Sequence, residues 1–367
     1  MDVLIAGGGT GGHLFPGIAV AEEVRRRDPA ARVLFVGTAR GLEVKAVPKA
    51  GFELALLPVS GLRRTGLLGL CLGLLRLPGA LFGALRLVRG FRPQVAVSVG
   101  GYAAGPAVLA ARLLGVPCVV MEQNAVPGFT NRVLGRLARR VLAGLPPTGL
   151  PADKVTVVGN PVRADLLRVR GSAYAPHRPL KLLVFGGSQG ARALNEVMIG
   201  AAAALEAQGV ALEITHQTGG ADCERVRAAY AAAGVQGPRV LPFIDDMATA
   251  YDEADLVLCR AGASTIAELA VCGRPAILVP FPFAVDDHQS ANARALAAAG
   301  GAVHLPQAEM SCGRLTELVA ALAREPERLR AMAAAAHRYG QPDSAATIVT
   351  ALEGVASPAA SSGRRPS

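Results

Sequence analysis

Aromatic side chains are scarce in this chain of 367 residues: tryptophan is absent, and aromatic residues make up 4% of the sequence. Proteins that bind single-stranded nucleic acid stack its bases on aromatic side chains, so we do not expect a nucleic-acid partner. Cysteine is also sparse. Its residues form no C-x-x-C pair, which argues against a zinc site and predicts reduced, mostly buried thiols in a cytosolic protein. The six cysteines are Cys71, Cys118, Cys223, Cys259, Cys272 and Cys312.

Long uninterrupted apolar runs are missing as well. The most apolar segment, residues 66–92, is interrupted by Arg76 and Arg86, and its uncharged runs fall short of the roughly 18 residues that a membrane-spanning helix needs. Pro78 is expected to break one long helix there. Residues 63–92 contain several arginines and no acidic residue, a pattern typical of a helix that lies in the interface of an anionic bilayer. An ordinary pair of helices packed on a sheet is the alternative.

Acidic residues are few in the first half of the chain. Residues 1–163 hold 20 lysines and arginines against 8 aspartates and glutamates, whereas residues 164–367 hold 18 against 20. The basic half is therefore expected to meet an anionic partner, and a membrane surface or a phosphorylated substrate fits better than a nucleic acid. A signal peptide is not expected, because Met1 and Asp2 lead directly into a strand.

The abundant residues are Ala, Val, Leu and Gly, as in buried parallel strands covered by helices. Strand-like runs alternate with helical patterns in two series, which predicts two α/β domains with parallel sheets and a boundary just after Arg163. A tail at 356–367, rich in Ser, Pro, Ala and Arg, is predicted to be disordered. The expected strands are 3–6, 33–36, 95–99, 118–121 and 155–158 in the first domain and 181–185, 212–217, 240–243, 256–259 and 276–279 in the second.

Each series opens with a glycine turn that leads from a strand into a helix. The first turn reads GGGTGGH at residues 7–13, ahead of a helical pattern from about Pro16, and the second reads GGSQGAR at residues 186–192. Such turns let the backbone approach a ligand closely and present a helix N-terminus to an anion. The first turn has the G-x-G-x-x-G spacing of a dinucleotide fold. The second strand, however, ends at Thr38 without the acidic residue that would hold a ribose, so a nicotinamide cofactor is not expected.

A third glycine turn follows the strand at 95–99 and contains Gly100, Gly101 and Tyr102. The carboxyl ends of parallel strands share one edge of the sheet, so this turn should lie beside the first one. Two such turns together would form a nest of backbone N–H groups suited to a diphosphate.

Two candidate polar sites lie at the ends of strands in the first half. His13 closes the first glycine turn and is a candidate general base, because imidazole accepts a proton near neutral pH. A helix-capping or phosphate-contacting histidine is the alternative. Glu122, Gln123 and Asn124 follow another strand, where they could form a ligand-binding edge or cap a helix.

Polar residues follow strands in the second half too. The run CRAGASTIAE at 259–268 leads through small residues into a helix that starts near Ser264, and its N-terminus could receive a nucleotide phosphate. Glu268 lies about one helical turn further on, where a carboxylate could hold ribose hydroxyls. A capping box of Ser264 or Thr265 with Glu268 is the alternative. The run DDHQSAN at 286–292 offers further amides and charges.

Together these motifs resemble one family, the bacterial MurG N-acetylglucosaminyltransferases of peptidoglycan biosynthesis. The resemblance runs along nearly the whole chain through GGTGGH, SVGGYAAGP, EQNAVPGFTNR, GNPVR, GGSQGAR, HQTG, FIDDM, CRAGASTIAE and DDHQSANA. It implies a GT-B fold, in which two Rossmann-like domains face each other across a cleft. Residues 1–163 and a C-terminal helix at about 341–355 would bind the lipid acceptor and the membrane, and residues 164–340 would bind UDP-GlcNAc.

The implied reaction is the inverting transfer of GlcNAc from UDP-GlcNAc to the 4-hydroxyl of undecaprenyl-diphospho-MurNAc-pentapeptide (lipid I), which gives lipid II. In the family Glu268 would hold the ribose, and Arg260 with the helix after it would stabilise the leaving UDP. A cofactor or metal is not expected, because GT-B enzymes stabilise the leaving diphosphate with helix dipoles and side chains. The implied donor residues are Thr10, Gly11, Gly12, Asn124, Arg163, Ser188, Ile244, Arg260, Ala263, Ser264, Thr265, Ile266, Ala267, Glu268 and Gln289. The implied acceptor residues are Gly100, Gly101, Tyr102 and Asn131.

One position departs from the family pattern. Many relatives carry histidine directly before the Glu-Gln-Asn, where this chain has Met121, so an essential proton transfer at that position is not expected. His13 is then the favoured catalytic base and Glu122 the second candidate. The resemblance does not decide between them.

The resemblance also implies a peripheral protein on the cytoplasmic face of the bacterial plasma membrane, connected to cell shape and cell division. Its partners would be UDP-GlcNAc, lipid I, the anionic membrane surface and proteins of the cell-wall or division machinery. Three other functions fit parts of the sequence. A non-hydrolysing UDP-GlcNAc 2-epimerase shares the fold and the donor but needs no basic, Leu-rich surface. The others are a nicotinamide oxidoreductase and a non-catalytic membrane recruiter of wall enzymes, which would tolerate changes at Glu268 and Arg260.

Overall fold

A computed structural model describes residues 1–8, 11–39, 41–59 and 66–356 of the protein, with the backbone alone for residues 66–77. The chain divides into two compact units. Unit 1 comprises Met1–Pro161 and the segment from Asp343 onward, and unit 2 comprises Val162–Pro342. The chain thus passes into unit 2 within two residues of Arg163 and returns to unit 1 at its end.

Unit 1 is built on a parallel sheet. Its strands are β1 (Val3–Gly7), β2 (Val33–Gly37), β3 (Glu53–Leu56), β4 (Val95–Gly100), β5 (Cys118–Glu122), β6 (Arg140–Ala143) and β7 (Val155–Val157). They lie in the order β3-β2-β1-β4-β5-β6-β7. β1, β2, β4 and β5 are buried along their whole length, because helices cover both faces of the sheet.

The helices of unit 1 before residue 161 are α1 (Gly11–Arg27), α2 (Glu43–Lys49), α3 (Gly66–Phe91), α4 (Ala104–Leu113) and α5 (Phe129–Leu137). Alternate side chains of β1 point to opposite faces of the sheet. Val3 and Ile5 join the apolar layer of α1, whereas Leu4 and Ala6 join the layer of α3, α4 and α5. This two-sided burial explains why the strand is uniformly apolar.

Helix α3 runs unbroken through Pro78, so the expectation that this proline breaks the helix is wrong. Proline removes one backbone donor but does not have to end a helix. Beyond Pro78 and Gly79 the helix buries Ala80, Ala84 and Val88 along one face, and this packing offsets the low helix propensity of the two residues. In the described part of the chain, no helix combines the length and the apolarity that crossing a bilayer requires.

Unit 2 repeats the architecture. Its strands are β8 (Leu180–Phe185), β9 (Leu212–Gln217), β10 (Arg239–Leu241), β11 (Leu256–Cys259), β12 (Ala276–Leu278) and β13 (Ala302–His304). Its helices are α6 (Ala164–Val169), α7 (Arg192–Ala207), α8 (Cys223–Ala232), α9 (Met247–Glu253), α10 (Ala263–Cys272), α11 (His288–Ala298), α12 (Cys312–Arg324) and α13 (Pro326–Tyr339). The strands are parallel, in the order β10-β9-β8-β11-β12-β13.

Both sheets have a switch point, where the strand order reverses beside the first strand of the unit. It lies between β1 and β4 in unit 1 and between β8 and β11 in unit 2. The connections on the two sides of a switch point leave in opposite directions and open a crevice at the carboxyl ends of the strands, where open α/β sheets bind ligands. The carboxyl ends of the strands at these two switch points are therefore the expected ligand sites.

The last helix, α14 (Ser344–Ala356), packs on the α1 face of unit 1. Leu352 belongs to that apolar core, and the guanidinium of Arg27 lies 3.1 Å from the carboxylate of Glu353. Ala356 ends the helix, and the rest of the predicted tail at 356–367 lies outside the described residues.

Candidate active site

Two glycine turns meet at the switch point of unit 1, and the prediction that they lie side by side is confirmed. Gly7 pairs with Gly100 across β1 and β4, and the N–H of Gly8 donates to the carbonyl of Gly100 at 3.3 Å. Gly100 and Gly101 have φ of 94° and 87°. A Cβ on Gly101 would lie 2.6 Å from the carbonyl oxygen of Gly8, so only glycine fits this backbone crossing.

His13 lies at this crossing. Helix α1 begins at Gly11 and not near Pro16, so the prediction marked its start too late, and His13 belongs to its first turn. The imidazole covers Gly100, because a Cβ on that glycine would lie 3.1 Å from Nε2 of His13. The side chain is half-buried, which leaves part of the ring open to a ligand beside the two turns.

Glu122 ends β5 and is 1% exposed. Its Oε1 accepts from the backbone and side-chain N–H groups of Asn124, at 2.9 and 3.2 Å. Its Oε2 accepts from the N–H of Gly128 at 3.3 Å and from Nδ2 of Asn131 at 2.9 Å. Both oxygens hold the loop at 124–128 in place. A proton taken up by Glu122 would have to displace one of these donors.

Asn131 supports the glycine turn from inside the unit. It is 2% exposed, and its Nδ2 also donates to the carbonyl of Met121 at 2.9 Å. The hydroxyl of Ser98 donates to Oδ1 of Asn131 at 2.8 Å and accepts from the N–H of Gly100 at 3.3 Å. The resemblance implied that Asn131 lies near the acceptor diphosphate; the structure buries it next to the Gly100 turn, and its closeness to the diphosphate stays a prediction. Tyr102 is the acceptor candidate at the surface, with 49% of its side chain exposed.

The donor residues implied in unit 1 lie around the same edge. Thr10 lies outside the described residues. Gly11 and Gly12 form the first turn of α1, whose N-terminus is a favourable place for an anion. Asn124 is half-buried and is held by Glu122.

The glycine turn after β8 interlocks with the turn after β9. Gly190 has φ of 73°, and a Cβ on it would lie 1.8 Å from the carbonyl oxygen of Thr218. Gly219 has φ of 86°, and its Cβ would lie 2.1 Å from the carbonyl oxygen of Gln189. Ser188 is exposed at the tip of the turn, ahead of α7.

Arg260 follows β11 and is a buried cation, 9% exposed. Its Nη1 donates to the carbonyls of Pro280 and Val279 at 3.0 and 3.2 Å, and its Nη2 donates to Oε1 of Gln307 at 2.6 Å. The ring of Phe281 lies 5.5 Å from its Cζ. Burial lowers the pKa of the guanidinium to about 10. Because each of these partners is neutral, an anion bound beside Arg260 would be stabilised strongly.

Helix α10 begins at Ala263, and its N-cap is Gly262, which has no side chain to cap with. The capping-box interpretation is therefore wrong, since Glu268 lies more than a turn inside the helix. Its Oε2 accepts from the hydroxyl of Tyr251 at 2.9 Å. Burial raises the pKa of Glu268, and the hydrogen bond from Tyr251 and the charge of Arg163 act in the opposite direction.

The other residues implied for the donor lie on this helix or near it. Along α10, Ala263 and Ile266 are buried, whereas Ser264, Thr265 and Ala267 are half-buried.

Ile244 is 9% exposed after β10. Oε1 of Gln289 accepts from the N–H of Phe281 at 2.9 Å. Nε of Arg163 lies 3.8 Å from Asp165. In the ranges that the structure describes, no three or more His, Cys, Asp or Glu side chains are grouped to hold a metal ion.

Two family models match most of the chain. The glycosyltransferase family 28 N-terminal domain matches residues 3–143, and the C-terminal domain of that family matches residues 181–348. The chain belongs to glycosyltransferase family 28.

Two relatives narrow this membership to the MurG enzymes. The chain is 47% identical over 349 residues to a protein of Syntrophus aciditrophicus (strain SB), covering 95% of this chain and 96% of that one. It is 51% identical over 350 residues to a protein of Anaeromyxobacter sp. (strain Fw109-5), covering 95% and 92%. Both are named UDP-N-acetylglucosamine--N-acetylmuramyl-(pentapeptide) pyrophosphoryl-undecaprenol N-acetylglucosamine transferase. The prediction of a family 28 N-acetylglucosaminyltransferase is confirmed.

Comparison with solved structures shows which conclusions rest on the fold and which rest on the sequence. Acinetobacter baumannii MurG matches with a TM-score of 0.79 and 37% identity, covering 96% of this chain and 99% of that one. This confirms the prediction of a GT-B protein with two parallel-sheet α/β domains. UDP-GlcNAc 2-epimerase from Neisseria meningitidis matches with a TM-score of 0.67 at 14% identity, covering 96% and 100%. That likeness shows the fold alone, so the family 28 membership rests on the sequence.

Sequence reasoning missed two buried side chains next to the candidate residues of this family 28 protein. Glu43 is 0% exposed below the first glycine turn. Its Oε1 accepts from the N–H and the hydroxyl of Thr38, both at 2.9 Å, and a Cβ on Gly8 or Gly41 would collide with the carboxylate. The sequence signal that could have located Glu43 is an acidic residue within a few positions of several loop glycines. Tyr251, the partner of Glu268, gave no signal, because its contact joins two different helices.

Proposed function

We propose that the protein transfers N-acetylglucosamine from UDP-GlcNAc to the 4-hydroxyl of the muramoyl sugar of undecaprenyl-diphospho-MurNAc-pentapeptide, with inversion at the anomeric carbon. The observation that carries the proposal is the 47–51% identity with relatives named for this transfer, which extends along both units.

Unit 2 binds the donor in this proposal. Glu268 accepts hydrogen bonds from the ribose hydroxyls, and the N-terminus of α10 stabilises the diphosphate through the positive end of the helix dipole. Arg260 adds a buried positive charge held by neutral partners. The stabilisation by Arg260 increases as the bond to the sugar breaks, because the leaving UDP gains negative charge and the guanidinium is already in place.

Unit 1 binds the acceptor and supplies the base. The glycine turns that cross at Gly7–Gly8 and Gly100–Gly101 let the lipid diphosphate approach the backbone closely. During transfer, the 4-hydroxyl oxygen forms a bond to the anomeric carbon while the bond from that carbon to the UDP oxygen breaks, and UDP leaves with the electron pair. His13 accepts the hydroxyl proton, which keeps the nucleophile from becoming a positively charged oxonium.

The proposal includes peripheral attachment to the cytoplasmic face of the plasma membrane through residues 63–92. In the described half of α3, Phe82 is 62% exposed, and Arg86 and Arg89 are exposed beside it. An apolar ring with flanking arginines suits the headgroup region of anionic lipids. Partners among the cell-wall or division proteins stay a prediction of the family resemblance.

A transfer assay tests the reaction. The full chain is incubated with radiolabelled UDP-GlcNAc and a lipid I analogue in detergent, with EDTA and without added metal. We expect a labelled lipid-linked disaccharide, and Arg260→Ala is expected to lower its rate by about 10²–10³-fold, as for loss of a group that stabilises developing charge.

An epimerase would give a different result. It would bind UDP-GlcNAc without labelling the lipid, and UDP-GlcNAc incubated alone would be converted to the manno epimer. That outcome would overturn the transferase proposal.

A further inference from the structure

Tyr251 is a buried side chain that contacts Glu268, a residue proposed to bind UDP-GlcNAc. It lies on α9 and is 0% exposed. Its ring packs edge-on against Phe185 at the end of β8, with the ring centroids 6.1 Å apart. Within the described residues its hydroxyl makes one hydrogen bond, which it donates to Oε2 of Glu268 at 2.9 Å. The tight packing leaves the phenol little freedom, so the hydroxyl is a fixed point.

Glu268 needs such a fixed point. A glutamate side chain has several rotatable bonds and loses conformational entropy when it is ordered. Burial also raises the pKa of Glu268, and a protonated carboxyl is a poorer acceptor. The hydroxyl of Tyr251 opposes both effects, because it holds one oxygen in place and favours the ionised form. The charge of Arg163 acts in the same direction on the pKa.

We propose that Tyr251 is a positioning residue for the ribose of the donor. By holding Oε2 of Glu268, it orients Oε1 as the acceptor for the ribose hydroxyls and so gives the protein its preference for ribonucleotides. The inference rests on the proposed function, which assigns the ribose to Glu268.

The preference for UDP over 2′-deoxy-UDP should therefore depend on one oxygen atom, the hydroxyl of Tyr251. A site built to hydrogen-bond a hydroxyl rejects the ligand that lacks it, because a buried acceptor is left unpaired. With Glu268 held by Tyr251, UDP should bind on the order of 10- to 100-fold more tightly than 2′-deoxy-UDP. Without the tyrosine hydroxyl, Glu268 is free to turn away, and the two ligands should bind almost equally.

Calorimetric titration of the full chain with UDP and with 2′-deoxy-UDP tests the inference. Tyr251→Phe removes only the hydroxyl. We expect it to weaken UDP binding about tenfold, leave 2′-deoxy-UDP binding unchanged, and reduce the preference to within a few-fold of one. In a Glu268→Gln background, the same change should have no further effect on the preference, because the tyrosine acts through the carboxylate.

Tyr230→Phe is the matched control. Tyr230 is also buried in unit 2, at 2% exposure, and its hydroxyl is hydrogen-bonded to Nδ1 of His216 at 2.9 Å, away from Glu268. This variant loses the same atom from a similar environment. It should show a comparable change in melting temperature and keep the full preference for UDP.

Three results would overturn the inference, and they are distinguishable. If Tyr251→Phe keeps the wild-type preference and weakens both ligands equally, the tyrosine is only structural. If the wild type binds UDP without preference, Glu268 does not hold the ribose, and the positioning role falls with it. If the wild type binds neither ligand, the proposed function itself is wrong.

Discussion

The two units share one backbone device and surround it with different side chains. In both, a glycine turn at a switch point is locked by a backbone crossing, but the first turn is locked to β4 across its switch point and the second to β9 on the other side of β8. The residues around them differ as well. Unit 1 places His13 over its turns and buries the carboxylates of Glu43 and Glu122 below them, whereas unit 2 buries the cation Arg260. Under the proposed function, the sheet provides the position in both units, and the neighbouring side chains provide a proton acceptor in unit 1 and a cation that binds an anion in unit 2.

Substitution of His13 should separate the two units most clearly. We expect His13→Ala to lower kcat by about 10²–10⁴-fold, the usual contribution of a general base, while UDP binding stays within a few-fold of the wild type. Steady-state kinetics with a lipid I analogue and calorimetry with UDP measure the two quantities. Arg260→Ala in unit 2 is the paired variant, and it should weaken UDP binding as well as lower kcat.

Near-normal turnover of His13→Ala would remove this histidine from the mechanism. Glu122→Gln would then test the second candidate, with the difference that Glu122 also holds the loop at 124–128 and should change the melting temperature.

The glycine turns can be compared by substitutions that differ only in the space around the new Cβ. Gly190 and Gly209 have φ of 73° and 70°, but a Cβ on Gly190 would lie 1.8 Å from the carbonyl oxygen of Thr218, whereas nothing lies within 4 Å at Gly209. Gly209→Ala should lower the free energy of unfolding by about 1 kcal/mol, the cost of the left-handed backbone. Gly190→Ala should lower it by about 3 kcal/mol or more, because backbone must also move.

Scanning calorimetry can assign these effects to a unit, since about 1 kcal/mol shifts the melting temperature of a domain of this size by roughly 2–4 °C. Gly101→Ala is the counterpart in unit 1, and it should affect the other transition. Equal melting temperatures for Gly190→Ala and Gly209→Ala would show that the crossing does not lock the turn.

The sequence predicted the parts of the fold that local patterns encode. Fully buried strands such as β1 and β8 are apolar runs that end in glycine, so both the strands and the adjacent turns could be located. The strands β3, β6 and β13, of three or four residues each, were not predicted, and each contains a charged residue or a histidine that interrupts the apolar pattern. β3 is also an edge strand with exposed or half-buried side chains. Pro16 and Pro78 led to wrong predictions of where one helix begins and where another breaks. A single lost hydrogen bond does not outweigh the packing of a long helix.

The residues of the candidate site also divide into those that the sequence predicted and those that it did not. Residues that follow a strand, such as His13 and Arg260, could be found from their position, because the carboxyl edge of a parallel sheet is where ligands bind. The contact of Tyr251 could not, because this side chain meets Glu268 through packing between two helices. The burial of Asn131 was missed for the same reason, since its position on α5 says nothing of the network that it completes.

The last comparison concerns the basic surface that distinguishes unit 1 from unit 2. The double variant Arg86→Gln with Arg89→Gln should weaken binding to vesicles of anionic phospholipid by roughly 30-fold, since each arginine near such a surface contributes about 1 kcal/mol. Sedimentation with vesicles at low salt measures the binding, and added salt should reduce the difference.

Arg324→Gln with Arg338→Gln is the control. It removes two exposed helix arginines from unit 2 and changes the net charge equally, so a purely global attraction would weaken by the same factor in both double variants. Binding that falls only with the α3 pair would place the contact on the face that carries Phe82. Equal losses would leave α3 as an ordinary packed helix, because its arginines would then act through net charge and not through their position.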